Sequence, residues 1–182
     1  MSVAATVNGA PIFVAEVDAR EARLRASRSA SSLPRPGTSE GRQLRRWLTQ
    51  LLVAERVVAA EAIALRVSPD NAPSEADLLP DMAVRLEIGS VAASVLGGPL
   101  ARALFIEVTA AVDVTADAVA GYASRNPARF ADTAAVAEHL RAASRRRTFR
   151  LWLDARCAAV VELAPGYEHP GDPRQPDNTH RH

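Results

Sequence analysis

The chain has 182 residues, 48% of them apolar but only 4% aromatic, so a core must be assembled from Ala, Val and Leu. All 22 basic residues are Arg, and 21 acidic residues leave a net charge of +1, a balance that argues against a strongly basic nucleic-acid binder. One cysteine, Cys157, excludes an internal disulfide.

Ala and Leu favour helices, which predicts a mainly helical protein. Val3 to Val7 is β-prone, and Asn8-Gly9 after it is a strong hairpin signal, because a type I′ turn needs positive φ at both central residues. Ala10 to Val14 reads as the return strand and Glu16 to Arg28 as a helix. Val14-Ala15 offers that helix no side-chain cap, a loss of about 1 kcal/mol. Ser29 to Gly37 is a loop of Ser, Pro and Gly. Thr38 then caps a long helix to about Leu65, with Leu44, Leu48, Leu51, Leu52, Val58 and Leu65 as its apolar stripe. Arg42, Arg45, Arg46, Glu55 and Arg56 fall largely elsewhere, on the polar side. Trp47 reads as a core anchor before a ligand platform.

Ser74 with Asp77 makes a weak capping box. Asp81 to Leu96 and Pro99 to Val112 read as two helices separated by Gly97-Gly98, with Pro99 in a first turn. No run here is long enough for a membrane span, which needs about 20 apolar residues. Thr115 caps a short helix that ends at Asn126-Pro127. Thr133 is expected to cap the last long helix, to about Cys157, with Val136, Leu140, Phe149, Trp152 and Leu153 as its stripe. Residues 158–163 read as a closing strand. From 164 to 182 four prolines exclude regular structure and apolar residues are scarce, so the expectation is a solvated Pro/His-rich tail.

Several of these segments resemble one known family. The run from Val7 through Asn8-Gly9 to Arg20 looks like the opening of SurA-type chaperone domains, and Leu48 to Ala62 is similar to the long helix of that family. Tyr122, Asn126, Pro127 and Phe130 form Y-x-x-x-N-P-x-x-F, which resembles the lead into the isomerase domain of parvulin-type prolyl isomerases. Thr133 to Arg141 resembles the family's closing helix and follows almost at once, leaving no space for an isomerase domain. The similarity covers residues 3–70 and 113–163; between them only length and helicity match. It implies a mainly α chaperone domain over residues 1–163, lacking the inserted enzyme, with a closing strand paired to the amino-terminal hairpin, followed by the tail 164–182.

Catalytic constellations are absent from the pattern. His139 and Cys157 lie about five turns apart on one predicted helix and cannot share a site within it. Acyl transfer of the malonyl-CoA:acyl-carrier-protein kind needs a G-x-S-x-G serine, and none occurs. The expectation is therefore a non-catalytic chaperone or assembly factor that holds an unfolded or partner polypeptide on apolar side chains of the hairpin and helices. Its candidate contacts are Ile12, Val14, Trp47, Leu51, Met82, Leu86, Leu100 and Phe105, each of which has core as its alternative. The rival is a metal-binding or cofactor-maturation accessory, with Zn or Ni held by His169, His180 and His182. A homodimer and a subunit of a larger complex both stay open as assemblies. Arg141, Arg145, Arg146, Arg147 and Arg150 read as a solvated face spread around the last helix. With no leader of charge and apolar run at the amino end, the expected location is the cytoplasm, away from membrane and nucleic acid.

Overall fold

A computed structural model describes residues 1–177. Among these the protein is mainly helical, with one small antiparallel sheet. Its contacts divide it into two compact units: Met1–Ala60 with the C-terminal stretch from Arg156, and Glu61–Ala155. Among the described residues no helix is long and apolar enough to cross a membrane.

The first unit begins with strands β1 (Val3–Val7) and β2 (Ala10–Phe13), joined by Asn8 and Gly9 at φ of 50° and 78°. These are the positive angles that the type I′ turn demands. A register shift between Val3 and Ala5 bulges β1, and the strand order is β2-β1-β3. Strand β3 (Val161–Leu163) pairs antiparallel with β1, Ala5 opposite Leu163 and Val7 opposite Val161. Residues 158–160, expected as strand, belong instead to the preceding helix, because the i→i−4 ladder continues until the Asn8 N–H takes the Val160 carbonyl at 2.8 Å.

Helix α1 (Val14–Arg25) follows β2 directly. No hydroxyl or carboxylate caps it from the N-cap position, as expected, but Glu16 reaches back and accepts from the Phe13 N–H at 3.0 Å. That supplies half of a capping box and offsets part of the missing cap. Helix α2 (Ser39–Ala64) has Thr38 at its start, whose Oγ1 accepts from Gly41 N–H at 3.0 Å. Leu48, Leu51, Val57 and Val58 are buried along it, together with Ile12 and Val17 from the opening elements. Ion pairs link α1 to α2 on the wetter side: Arg20 to Glu55 at 2.6 Å, Arg56 to Glu16 at 2.6 Å, and Arg45 to Glu21 at 2.7 Å.

The tail is not a solvated strand of chain over its described part. Residues 164–177 form successive turns, closed by Tyr167 N–H to Ala164 O and Asp172 N–H to His169 O, and Gln175 is buried. Proline forbids helix and sheet interiors but fits turns, so the composition excluded regular structure without excluding order. These turns belong to the first unit.

The second unit carries five short helices and most of α8. They are α3 (Glu75–Leu78), α4 (Met82–Ile88), α5 (Ser90–Val95), α6 (Pro99–Val108) and α7 (Ala116–Arg125). Ser74 and Asp77 make the reciprocal box, at 3.1 and 3.0 Å, and Thr115 caps α7 through Ala118 N–H at 3.1 Å. The helix expected over 81–96 is two helices, because Gly89 at φ 94° breaks it. Helix α8 (Thr133–Val160) is capped one residue earlier than expected: Asp132 Oδ1 accepts from Ala135 N–H at 2.8 Å, and Thr133 is already helical. Phe105 and Phe149 meet at 5.2 Å in the buried centre, where Leu96, Leu104 and Leu153 are also buried.

The Y-x-x-x-N-P-x-x-F segment joins α7 to α8 through an aromatic cluster. His139 lies 4.9 Å from the Phe130 ring and 5.6 Å from that of Tyr122. Arg129 donates to the Tyr122 hydroxyl at 2.8 Å and lies over the Phe130 ring. In this chain the motif is a staple between two helices.

Candidate functional site

Three consecutive arginines on α8 go to three different environments. Arg145 donates through Nε to Thr109 Oγ1 at 2.8 Å and lies over the Phe105 ring, tying α8 to the end of α6. Arg147 is exposed. Arg146 is buried, only 8% exposed, and its Nε is sealed from solvent without an acceptor among the described residues. A buried donor left unpaired costs about 1–3 kcal/mol, so this guanidinium is a costly feature for a fold to retain.

Arg146 lines a cavity of about 320 Å³ whose other walls are Glu87 and Ile88 at the end of α4 and Arg147, Arg150 and Leu151 from α8. That volume lies at the small end of the range for small-molecule sites. Three guanidiniums face one carboxylate, and Glu87 makes no ion pair with any of them among the described residues. Arg150 has only a long contact to Asp154, 3.6 Å, with both side chains more than half exposed. Ile88 is buried and Leu151 is 53% exposed, so the cavity joins an apolar wall to a cationic one. From sequence alone these arginines are expected on a solvated face spread around the helix. The informative signal was spacing: 146 with 150, 147 with 151 and 147 with 150 share one helical face.

The expected polypeptide-contact residues separate into core and surface. Ile12, Leu51 and Phe105 are 1%, 4% and 2% exposed. They are core, since a ligand would have to displace packed neighbours to reach them. Val14, Trp47 and Leu100 are half-buried. Only Met82 and Leu86, at 67% and 75%, stand out in solvent, one turn apart on α4. The hairpin therefore offers no apolar contact through Ile12.

Of the expected metal ligands, His169 uses its Nδ1 to accept the Gly171 N–H at 3.0 Å. His180 and His182 lie outside the described residues. Among the described residues no three His, Cys, Asp or Glu side chains are grouped to hold a metal ion.

The first unit carries a second arginine cluster, used structurally. Asp177 Oδ2 accepts from Arg46 Nη1 at 2.7 Å, and its carboxylate also takes Arg42 Nε at 2.9 Å. Hydrogen bonds from Arg42 and then Arg46 hold the Asp177 carboxyl well below the usual carboxylate range. Arg46 is 2% exposed, against its expected place on the polar side of α2. Burial raises the Glu21 carboxyl, but bonds from Arg45 and Arg25 outweigh that and leave it lowered. Every carboxylate of this cluster is already matched by arginine, which makes it a fastening and not an open site.

Residues 3–40 match a family of unknown function (DUF7158). That stretch holds the hairpin, α1 and the loop before α2, and none of the cavity residues. No curated protein and no solved structure matches the chain.

Proposed function

We propose that the protein is a non-catalytic polypeptide-binding factor, of the chaperone or assembly kind that the resemblance to SurA-type domains implies, working through its second unit. The observation that carries this reading is where apolar surface is left uncovered. Among the described residues, every large apolar side chain that stands exposed, apart from Met1 and Val3 at the amino end, lies in that unit: Ile63, Leu65, Met82, Leu86, Ile106 and Leu151. Covering a Leu or Met side chain contributes about 1.5–3 kcal/mol, so even the Met82–Leu86 pair gives a client segment useful affinity. The expected occupant is an extended apolar segment that carries acidic residues, since Arg147 and Arg150 stand exposed on the same unit.

Light scattering of a heat-unfolding test enzyme checks this directly. The protein should suppress aggregation near equimolar ratio, and M82S/L86S should suppress markedly less while keeping its own melting temperature. Suppression that is absent, or that is unchanged in M82S/L86S, refutes the reading.

A further inference from the structure

We infer that the cavity between the end of α4 and α8 is a carboxylate-binding site, with Arg146, Arg147 and Arg150 as the anion-holding groups and Ile88 and Leu151 as the wall for a short apolar body. The inference goes beyond the polypeptide reading and does not depend on it.

Four observations converge. Arg146 is more than nine-tenths buried, makes no hydrogen bond or ion pair among the described residues, and lines the cavity from its buried side. A guanidinium in that state is short of an acceptor, and planar bidentate pairing with a carboxylate is what its donor fork matches best. Arg147 and Arg150 line the same cavity from one and four residues further along α8, so an anion entering meets positive charge from two more sides. The opposing acid, Glu87, is a single residue with no ion pair to them, and the lining charge stays positive at three arginines against one glutamate. Finally, Ile88 and Leu151 give the cavity an apolar surface, which bare inorganic anions cannot use.

The ligand class is thus an organic carboxylate with a few apolar carbons. A free small-molecule acid and the C-terminal carboxylate of a peptide ending in an apolar residue share this chemistry. The test follows backbone chemical shifts of the ¹⁵N-labelled whole chain during titration with hexanoate, with hexanol, and with an Ala-Leu-Leu peptide as free acid and as amide. Hexanoate should saturate below about 10 mM and shift residues 86–88 and 146–151, and hexanol should bind at least about tenfold more weakly. R146Q should weaken hexanoate about tenfold or more. If R146Q does not fold, R147Q/R150Q, which changes only exposed side chains, should do the same. Raising NaCl should weaken binding, as a charge-based site requires.

A peptide acid that binds more tightly than both hexanoate and its own amide identifies a chain terminus as the source. Binding of hexanoate with no advantage for the peptide acid identifies a small molecule. Either outcome supports the site. Equal binding of hexanol and hexanoate, no saturation by hexanoate, or hexanoate binding unchanged in R147Q/R150Q each overturns it. Aggregation suppression is a separate readout, so failure of one reading leaves the other standing.

Discussion

Replacing Asp177 by Asn should destabilise the protein by about 3 kcal/mol near neutral pH. The Arg46 side chain is 2% exposed and that of Asp177 7%, and they meet at 2.7 Å. Removing one member of a buried pair typically costs about 3–5 kcal/mol, because the remaining charge has lost both water and partner. Two features place this case at the lower end. Glu168 remains 3.4 Å from Arg46 Nε, and Asp177's other partner, Arg42, is half exposed and can be hydrated. Contacts with such an exposed cation contribute about 0–1 kcal/mol. For a chain of this length 3 kcal/mol corresponds to a fall in Tm of about 6–12 °C.

The sign of the pH dependence follows from the arginines. They lower the folded-state pKa of Asp177 beneath its unfolded value of about 3.9. The stabilisation is therefore present in full above that value and is lost as pH falls below it towards the folded pKa. Urea titrations of wild type and D177N at pH 7 and pH 3 should show a large gap at pH 7 that narrows at pH 3. Replacing Arg46 as well, in R46M/D177N, should recover part of the loss, since no buried charge is then stranded. If D177N matches wild type within about 0.5 kcal/mol at pH 7, the docked C-terminal segment and the reasoning from it are wrong.

Three further substitutions probe local features. Gly89→Ala places a side chain at φ 94°, and a Cβ there meets nothing within 4 Å, so backbone strain alone should cost about 1–3 kcal/mol, read as a lower urea midpoint. Gly41→Ala acts by contact instead: its Cβ would collide with the Arg35 carbonyl oxygen, so the loop before α2 must move, and proteolysis near residues 33–38 should accelerate. Tyr122→Phe removes the acceptor of Arg129 and the hydroxyl's hydrogen bond with His139 Nε2 but keeps the ring, and the site is only half-buried; the loss should stay near 1 kcal/mol by thermal melting.

What the sequence disclosed was whatever a few neighbouring residues decide. The Asn8-Gly9 turn, the Thr38 and Thr115 caps, the Ser74–Asp77 box and the stop at Asn126-Pro127 each depend on residues no more than four apart. The pairing of β3 with β1 is long-range, yet the resemblance to SurA-type domains anticipated it. Local reading also had its own failures. Gly89 breaks a helix within an otherwise helical pattern, and Asp132 caps α8 in place of its neighbour Thr133, since a carboxylate caps as well as a hydroxyl.

The larger misses share one cause, which is that helical periodicity assigns arginine to solvent. Arg46 falls on the polar side of α2 by spacing, but its partner Asp177 stands 131 residues away, in a segment whose composition reads as unstructured. Nothing within a helix-length window could pair them. Arg146 is the more telling case because no described residue pairs with it at all. A buried arginine matched by a distant carboxylate is a product of folding, and its signal is spread over the whole chain. A buried arginine with no partner among the described residues is what the proposed carboxylate site would satisfy, and that difference separates the Asp177 cluster from the α4–α8 cavity.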